Sequence, residues 1–299
     1  VAPPGQSIRL AAWRAATYAT DPRSAQRLAL MLARSGNLPA TRLSGLLAAA
    51  HMSAAQGKWR QGKTFLDMAD RIDRAASIQT RANLASSGIV PVGHDELRLI
   101  LDQVRSLSPA QVPGLRLARA SLTGHLAIAL RDSAILRKSN EAIVAALRAD
   151  TSLSQLAQHL SHQLDAREAL ALGNSREALS VIESGWPKTN PQAIYPWLQS
   201  EAYTMASGRF LLARLLDDAG RTAEALPWYE TIAEDQGFST VYLAPSYLRR
   251  AVAEERLGRK IDAAEHYGRF ISLWGAADAP LQPQVRFARS RLAAITRQK

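Results

Sequence analysis

The sequence offers one pair of histidines with the spacing of a helical metal site. His159 and His162 are three residues apart, so on a helix both would lie on the same face. No Glu-x-x-His pattern accompanies them, and the nearby carboxylates are limited to Asp165 and Glu168. We therefore expect these histidines to lie on a solvated helix surface, and we predict neither a bound metal nor another cofactor.

Two pairs of adjacent carboxylates, Asp217-Asp218 and Glu254-Glu255, are the other candidates for acid–base chemistry. Adjacent residues on a helix diverge by about 100°, so the two members cannot act on one reacting atom. We expect them to be solvated or ion-paired. The sequence contains no cysteine, no Walker loop and no Gly-x-Gly-x-x-Gly motif, which excludes thiolate catalysis, disulfides and the common phosphate loops. We predict that the protein is not an enzyme.

The charge of the chain indicates an acidic partner. Lysine and arginine number 37 against 26 acidic residues, a net charge of +11, and arginine supplies 31 of the 37. Arginine suits phosphate and carboxylate groups alike. The basic residues are spread over all predicted helices and form no dense run. A basic groove for an acidic peptide or protein is therefore our preferred interpretation, and nucleic-acid binding is the alternative.

One short phrase recurs three times and indicates the elements that would carry such a groove. Residues 173–179, 220–226 and 258–264 each begin with glycine and contain a small alanine, and each follows an Ala/Leu-rich helical pattern. Glycine supplies the left-handed backbone that ends a helix, and alanine lets the next helix approach closely. The apolar or aromatic residue four positions after the alanine shares its face. Each phrase therefore predicts the turn of a helical hairpin.

The second and third phrases match at a constant offset of 38 residues. The matched residues are Gly220, Ala225 and Tyr229, followed by Gly258, Ala263 and Tyr267. The first phrase lies 47 residues before the second. A weaker fourth candidate comprises Ala50, Gly57, Gly62 and Leu66. A single hairpin cannot bury its apolar face, so we expect such units to stack as an array.

These residues resemble the tetratricopeptide repeat. The residues that carry the resemblance are Leu212-Ala213, Leu216, Gly220, Ala225 and Tyr229 in the 206–235 hairpin, Ala251, Gly258, Ala263 and Tyr267 in the 244–274 hairpin, and Ala166, Gly173, Ala178 and Ile182 in the 159–184 hairpin. The resemblance implies an all-α fold, a right-handed α-solenoid of antiparallel helix hairpins. The run from Gly208 to Ala294 is also similar to the C-terminal repeat regions of large bacterial signalling and regulatory proteins.

The resemblance further implies a concave wall formed by the first helix of each hairpin. Carried over by register, the partner-binding residues on that wall are Gln163, Arg167, Phe210, Arg214 and Arg256. Three arginines on one wall could receive carboxylates in bidentate geometry. The lysine and asparagine pattern of the family's carboxylate clamp is absent from this sequence. We expect the tryptophans at positions 186, 197, 228 and 274 to pack at hairpin joints, with Phe270 and Trp274 sealing the last hairpin against the final helix.

Two joints divide the predicted array, at residues 88–93 and 185–191. We predict divergent helical repeats over 1–87, central repeats over 94–184, and tetratricopeptide-like repeats with a capping helix over 192–299. Outside the 206–235 and 244–274 hairpins, the helical pattern covers residues 7–19, 22–35, 41–56, 63–78, 94–107, 115–129, 133–149, 151–172, 175–183, 192–206 and 282–297. Residues 88–92 are the one segment with any strand character.

These features together predict a non-enzymatic scaffold or sensor module that binds a peptide or protein partner. The alternatives are a nucleic-acid-associated basic helical repeat and a structural subunit of a larger bacterial assembly. No apolar run approaches the roughly 18 residues of a membrane span, and no signal peptide is visible. We expect a cytoplasmic protein, and a chain that begins at valine is consistent with an excised or mature fragment.

Overall fold

The computed structural model describes residues 21–35, 38–108, 113–149, 154–186, 206–233 and 240–297, which form fourteen α-helices and one short 3₁₀ helix. In chain order the helices are α1 Pro22–Ser35, α2 Pro39–Ala55, α3 Trp59–Asp70, α4 Arg74–Ser86, α5 His94–Ser106, α6 Pro113–Leu130, α7 Ser133–Ala149, α8 Ser154–Ala171, α9 Ser175–Ser184, α10 Ala206–Asp218, α11 Thr222–Ala233, α12 Thr240–Arg256, α13 Lys260–Trp274 and α14 Gln282–Thr296. The predicted helix 7–19, almost all of 192–206 and Trp197 lie outside the described residues.

Consecutive helices pack against each other as sequential antiparallel pairs. The pairs α2–α3, α6–α7, α8–α9, α10–α11 and α12–α13 are each joined by a short turn. The all-α prediction is confirmed, and residues 88–92 form a non-helical joint without a strand. The predicted helices 133–149 and 282–297 agree with α7 and α14 to within one residue.

Four of these hairpins close through the same glycine turn. Gly57, Gly173, Gly220 and Gly258 all have φ between 69° and 86°. In each turn the glycine N–H donates to the carbonyl three residues earlier, and the next N–H donates to the carbonyl five residues before it. For the third turn these bonds measure 3.0 and 2.9 Å. This is the Schellman arrangement, which satisfies the last carbonyls of the first helix. The fourth, weaker repeat candidate thus has the same turn as the other three.

The α6–α7 hairpin has the same turn without glycine. Arg131 adopts a φ of 56°, donates its N–H to the Ile128 carbonyl at 3.1 Å, and is followed by a bond from Asp132 to Ala127 at 2.9 Å. The sequence predicts this helix pair but not its turn, because the left-handed position lacks its usual residue type. The five hairpins can therefore be aligned on one left-handed residue each.

That alignment reveals a shared buried position on the first helix of each hairpin. Seven positions before the left-handed residue, all five hairpins carry a buried small residue: Ala50, Gly124, Ala166, Ala213 and Ala251. A Cβ added to Gly124 would lie 2.6 Å from the Leu164 Cδ1 atom, so α6 and α8 leave no room for a larger side chain. A buried small residue therefore occurs on the first helix of each hairpin, in addition to the alanines that the sequence predicted on the second helices.

The predicted helix 63–78 is wrong, because two helices occupy it. Helix α3 ends at Asp70, and α4 begins at Arg74. The side chain of Asp73 accepts a hydrogen bond from the Ala76 N–H at 3.0 Å, which caps α4 and separates it from α3. Gly62 lies within α3, not in the turn, and its missing Cβ would lie 3.3 Å from the Ala50 carbonyl oxygen.

The first hairpins pack against the last ones. Helix α2 contacts α12, and the indole N–H of Trp274 donates to the Ala55 carbonyl at 2.8 Å. The Asp278 N–H donates to the Gly57 carbonyl at 2.9 Å, while the Asp278 carboxylate accepts from the Arg60 N–H at 3.1 Å. Trp274, whose ring centroid lies 5.4 Å from that of Phe270, therefore packs against the α2–α3 turn as well as near α14.

The largest hydrophobic cluster crosses the predicted segment boundaries. It contains Ala50 and Leu84 from the first segment, Ala166 from the second, and Phe210 and Tyr242 from the third. The side chains from distant parts of the chain thus share one core. The three-part division of the chain itself stays a prediction.

A matched pair of glycine substitutions can measure how much the contact between the α2–α3 turn and residues 277–281 contributes to stability. A Cβ at Gly57 would lie 2.7 Å from Ala277 Cβ and 2.9 Å from Leu281 Cδ1, whereas a Cβ at Gly220 meets nothing within 4 Å. Both residues have positive φ. We expect Gly220→Ala to cost about 1 kcal/mol of unfolding free energy, and Gly57→Ala to cost roughly 1–3 kcal/mol more. Urea unfolding measures both, and equal losses would contradict the end-to-end contact.

The left-handed turn residue of α6–α7 gives a stabilising substitution. We expect Arg131→Gly to raise the unfolding free energy by about 0.5–1 kcal/mol, because glycine adopts this backbone without a Cβ penalty. Arg131→Ala is the control, since it removes the same side chain and keeps the penalty. Equal stability of the two variants in thermal or urea unfolding would contradict a strained Arg131.

Candidate functional site

The first helices of the hairpins share a face that we call the inner stripe. It comprises the residues 13, 10 and 6 positions before the left-handed residue. On three helices these are Ala118, Ser121 and His125 of α6, Leu160, Gln163 and Arg167 of α8, and Ser207, Phe210 and Arg214 of α10. On α2 and α12 the same positions include Leu47, Leu248 and Val252, which pack against the hydrophobic clusters. The same positions of α2 also include Ser44 and His51, so the stripe has polar residues on α2, α6, α8 and α10 and is apolar on α12.

The polar part of the inner stripe borders a small cavity between α4, α6, α8 and α10. Its volume is about 30 Å³. The lining consists of Gln79, Asn83, Ser86, Ala118, Ser121, Leu122, His125, Leu160, Gln163 and Ser207. Such a volume holds one or two water-sized groups and excludes a peptide side chain of ordinary length.

Two of the predicted partner-binding residues are buried. Gln163 is 2% exposed, and its side-chain amide donates to Nε2 of His159 at 2.7 Å. Phe210 is 8% exposed, and its ring centroid lies 5.2 Å from that of Tyr242. These two residues of the inner stripe are therefore packed inside the protein, where a partner would not reach them without rearrangement.

Arg167 is partly buried and lacks an acidic partner. Its Nη2 donates to the hydroxyl of Ser207, which ties α8 to α10. Its Nε–H is buried and has no acceptor. Among the residues that the structure describes, no carboxylate lies within 4 Å of this guanidinium. A cation in this setting favours an anionic neighbour, because burial without a counter-charge is costly.

Arg214 occupies the same repeat position on the next helix of the stripe. Burial lowers the pKa of its guanidinium, and the positive charges of Arg167 and Arg249 lower it further. Asp218 acts in the opposite direction, but its carboxylate lies 3.5 Å from Arg249 and is shared with it. The charges of Arg167 and Arg249, from the two neighbouring first helices, thus act on Arg214, and Asp218 offsets them only in part.

Arg256 lies apart from the other two predicted arginines, at the C-terminal end of α12. Its Nη1 donates to Asp217 at 3.0 Å, and the same carboxylate oxygen accepts from the Thr222 hydroxyl at 3.0 Å. The guanidinium is half-exposed. Arg256 therefore contacts the turn between α10 and α11, whereas Arg167 and Arg214 both belong to the inner stripe.

The adjacent carboxylates form separate ion pairs, as predicted. Asp217 and Asp218 contact different arginines. Glu254 contacts His266 at 2.7 Å, while Glu255 contacts Arg291. Because the two members of each pair contact different side chains, the structure gives no shared acid–base pair at these positions.

The prediction that His159 lies on a solvated surface is wrong. His159 is 0% exposed, its Nδ1–H donates to the Gly185 carbonyl at 3.2 Å, and its ring centroid lies 5.0 Å from that of Trp186. The segment from α9 covers the histidine, a contact that local spacing cannot reveal. His162 bonds instead to the Gln158 carbonyl at 2.7 Å. Within the described part of the chain, no group of three His, Cys, Asp or Glu residues is arranged to hold a metal.

The polar cavity and His125 were not predicted as functional features. His125 lies six residues before the turn, as Arg167 and Arg214 do. The turn that follows it has Arg131 in place of glycine, so the sequence does not reveal this register. Burial lowers the pKa of His125 well below its ordinary value, and the charge of Arg167 lowers it further. The signal that could have found it is the six-residue interval from His125 to the turn.

A second, wider cleft lies along α7 and has a volume of about 610 Å³. Both signs of charge line it, with Arg137 and Arg148 beside Glu141 and Glu168. This mixed lining does not select an acidic partner. The arginines of the inner stripe are therefore the better candidate for binding an acidic partner.

Comparison with known proteins leaves the family open. No protein-family model matches the sequence, and no curated protein matches it. None of the helices that the structure describes is both long and apolar enough to cross a membrane.

Burial of His159 predicts a loss of stability in mild acid. Burial lowers its pKa from 6.5 to about 4, so below pH 6.5 the unfolded chain takes up a proton that the folded chain refuses. We expect this residue to lower the free energy of unfolding by about 3 kcal/mol as the pH falls from 6.5 to 4. The measurement is urea unfolding across this pH range.

The variant His159→Gln isolates this contribution. We expect its unfolding free energy to fall less steeply below pH 6.5 than that of the wild type, even where the variant is less stable at pH 7. His94→Gln, which changes an exposed histidine on α5, is the matched control. Identical pH slopes for wild type and His159→Gln would contradict the role of the buried imidazole.

Proposed function

We propose that this protein is a non-enzymatic scaffold of the tetratricopeptide-like class, a right-handed α-solenoid that binds an acidic segment of a partner protein. The observation that carries the proposal is the association of Arg167, Arg214 and Arg249 from α8, α10 and α12. Burial lowers the pKa of the Arg214 guanidinium, and the positive charges of Arg167 and Arg249 lower it further, so an acidic ligand would stabilise its charged form. Guanidinium groups bind carboxylates through two parallel hydrogen bonds, which gives the contact direction as well as strength.

The hairpin turns support the architectural part of the proposal. Five hairpins with one turn geometry and one buried small position are the repeating units that an array requires. Because Gln163 and Phe210 are buried, the proposed binding surface consists of the arginines alone. Arg256 extends that surface only where a partner also approaches Asp217.

Nucleic acid is the alternative ligand, since phosphates also bind arginine. The described ion pairs argue against a long basic track, because carboxylates of α10 and α11 pair with arginines of α12. Asp218 pairs with Arg249, and Glu230 pairs with Arg250. An interrupted basic surface fits an acidic peptide better than a continuous phosphate backbone.

The test is binding of wild type and an Arg167→Gln/Arg214→Gln variant to partners from the native cell lysate, with nuclease and at two salt concentrations. We expect a protein partner that survives nuclease and binds the variant at least tenfold more weakly. Each lost charge-assisted hydrogen bond costs about 1.5–3 kcal/mol. The purified partner's acidic segment, as a labelled peptide, then gives the affinities directly.

The control is Arg98→Gln/Arg105→Gln, which removes the same charge from the exposed side of α5. This variant should bind the partner like the wild type. Partner binding that is unchanged by the substitutions on α8 and α10 would overturn the proposed site. Recovery of nucleic acid that is lost at high salt would favour the alternative.

A further inference from the structure

Helix α7 buries one of its sides and leaves the other open. Leu136 and Ile143 pack in a hydrophobic cluster with residues of α6 and α8. The other side borders the cleft of about 610 Å³. On it lies Val144, which is 41% exposed, followed by the exposed Ala145. A single exposed valine is ordinary, so the residues around it decide what this side of the helix can bind.

Four ionic side chains line the same cleft, two of each sign: Arg137, Arg148, Glu141 and Glu168. In the described part of the chain, none of the four has an ion-pair partner within 4 Å. Arg137 precedes Glu141 by four residues, which is the less favourable order for an ion pair within a helix. A ligand that pairs with these groups must therefore present both signs of charge, because the two carboxylates would repel a purely acidic segment.

The open side of α7 is complementary to itself. Glu141, Val144, Ala145 and Arg148 follow the i, i+3, i+4, i+7 spacing of one helix face. Glu141 and Arg148 are equally far, in opposite directions, from the midpoint between Val144 and Ala145. When two copies of α7 lie antiparallel about a two-fold axis through this midpoint, Glu141 of each copy is opposite Arg148 of the other. Val144 is then opposite Ala145, and each contact occurs twice, as in any isologous interface.

We propose that the open side of α7 is a dimer interface, on which the α7 helices of two copies of this chain pack antiparallel. The occupant is a second copy because the same helix supplies both signs of charge in the order that the cleft requires. A contact built on one helix pair is at the weak end of specific association, so we expect a dissociation constant of about 10 µM. The dimer does not involve the arginines of the inner stripe, so it is independent of the acidic partner proposed above.

Sedimentation velocity of the full chain, at concentrations from about 1 to about 100 µM, tests the dimer. We expect the wild type to change from monomer to dimer over this range. Glu141→Arg places like charges opposite each other in both symmetric contacts, and it should weaken dimerisation by a factor of about ten or more. A wild type that stays monomeric throughout, or a Glu141→Arg variant that dimerises as strongly as the wild type, would refute the interface.

An exchange of charges identifies the residues in contact. Glu141→Arg/Arg148→Glu reverses both signs and should restore dimerisation to within about threefold of the wild type. The two positions are about 10 Å apart along the helix, too far for an ion pair within one copy, so the recovery reports a contact between copies. Asp102→Arg makes the same change of charge on the exposed side of α5 and should dimerise like the wild type. Failure of the exchange to restore the dimer, or loss of the dimer in Asp102→Arg, would show that α7 is not the interface.

Discussion

The left-handed turn that closes each hairpin is the constraint on which the rest of the structure depends. Two backbone hydrogen bonds across the turn set where the first helix ends, and thereby which of its residues face the second helix. Residues counted back from the turn then have fixed roles: the seventh is small and buried, and the sixth, tenth and thirteenth form the inner stripe. The places of Arg167 and Arg214, at the sixth position of successive first helices, follow from this register.

The residue types along the inner stripe vary, although their spacing from the turn is constant. At the sixth position Arg167 and Arg214 carry a guanidinium group and His51 and His125 an imidazole, whereas Val252 on α12 is apolar. Changing this residue type leaves the hairpin backbone unaltered, because the turn and the buried small residue hold it. The protein can therefore carry charge in its interior at one place and a continuous apolar core at another.

The sequence predicted those features that depend on local interactions. Glycine turns and small residues identify hairpins directly, and four turns were found in this way. The break at Asp73 was missed, because an N-cap inside a helical pattern competes with continuous apolar periodicity. The burial of His159 was missed for a different reason, since its partner Gly185 is 26 residues away. Likewise, no local pattern predicts that Ala55 will accept a bond from Trp274, a contact 219 residues distant along the chain.

The contact between α2 and α12 changes how the hairpins share stability. In an open array each unit is stabilised by its neighbours, so the terminal units have one neighbour fewer and fray first. Here the α2–α3 hairpin and the α12–α13 hairpin are neighbours of each other. Opening either hairpin breaks contacts on both of its sides, which raises the free energy of local opening. Unfolding should consequently be more cooperative than in a linear array of the same length, with amide protection that does not decline steadily toward the first and last hairpins.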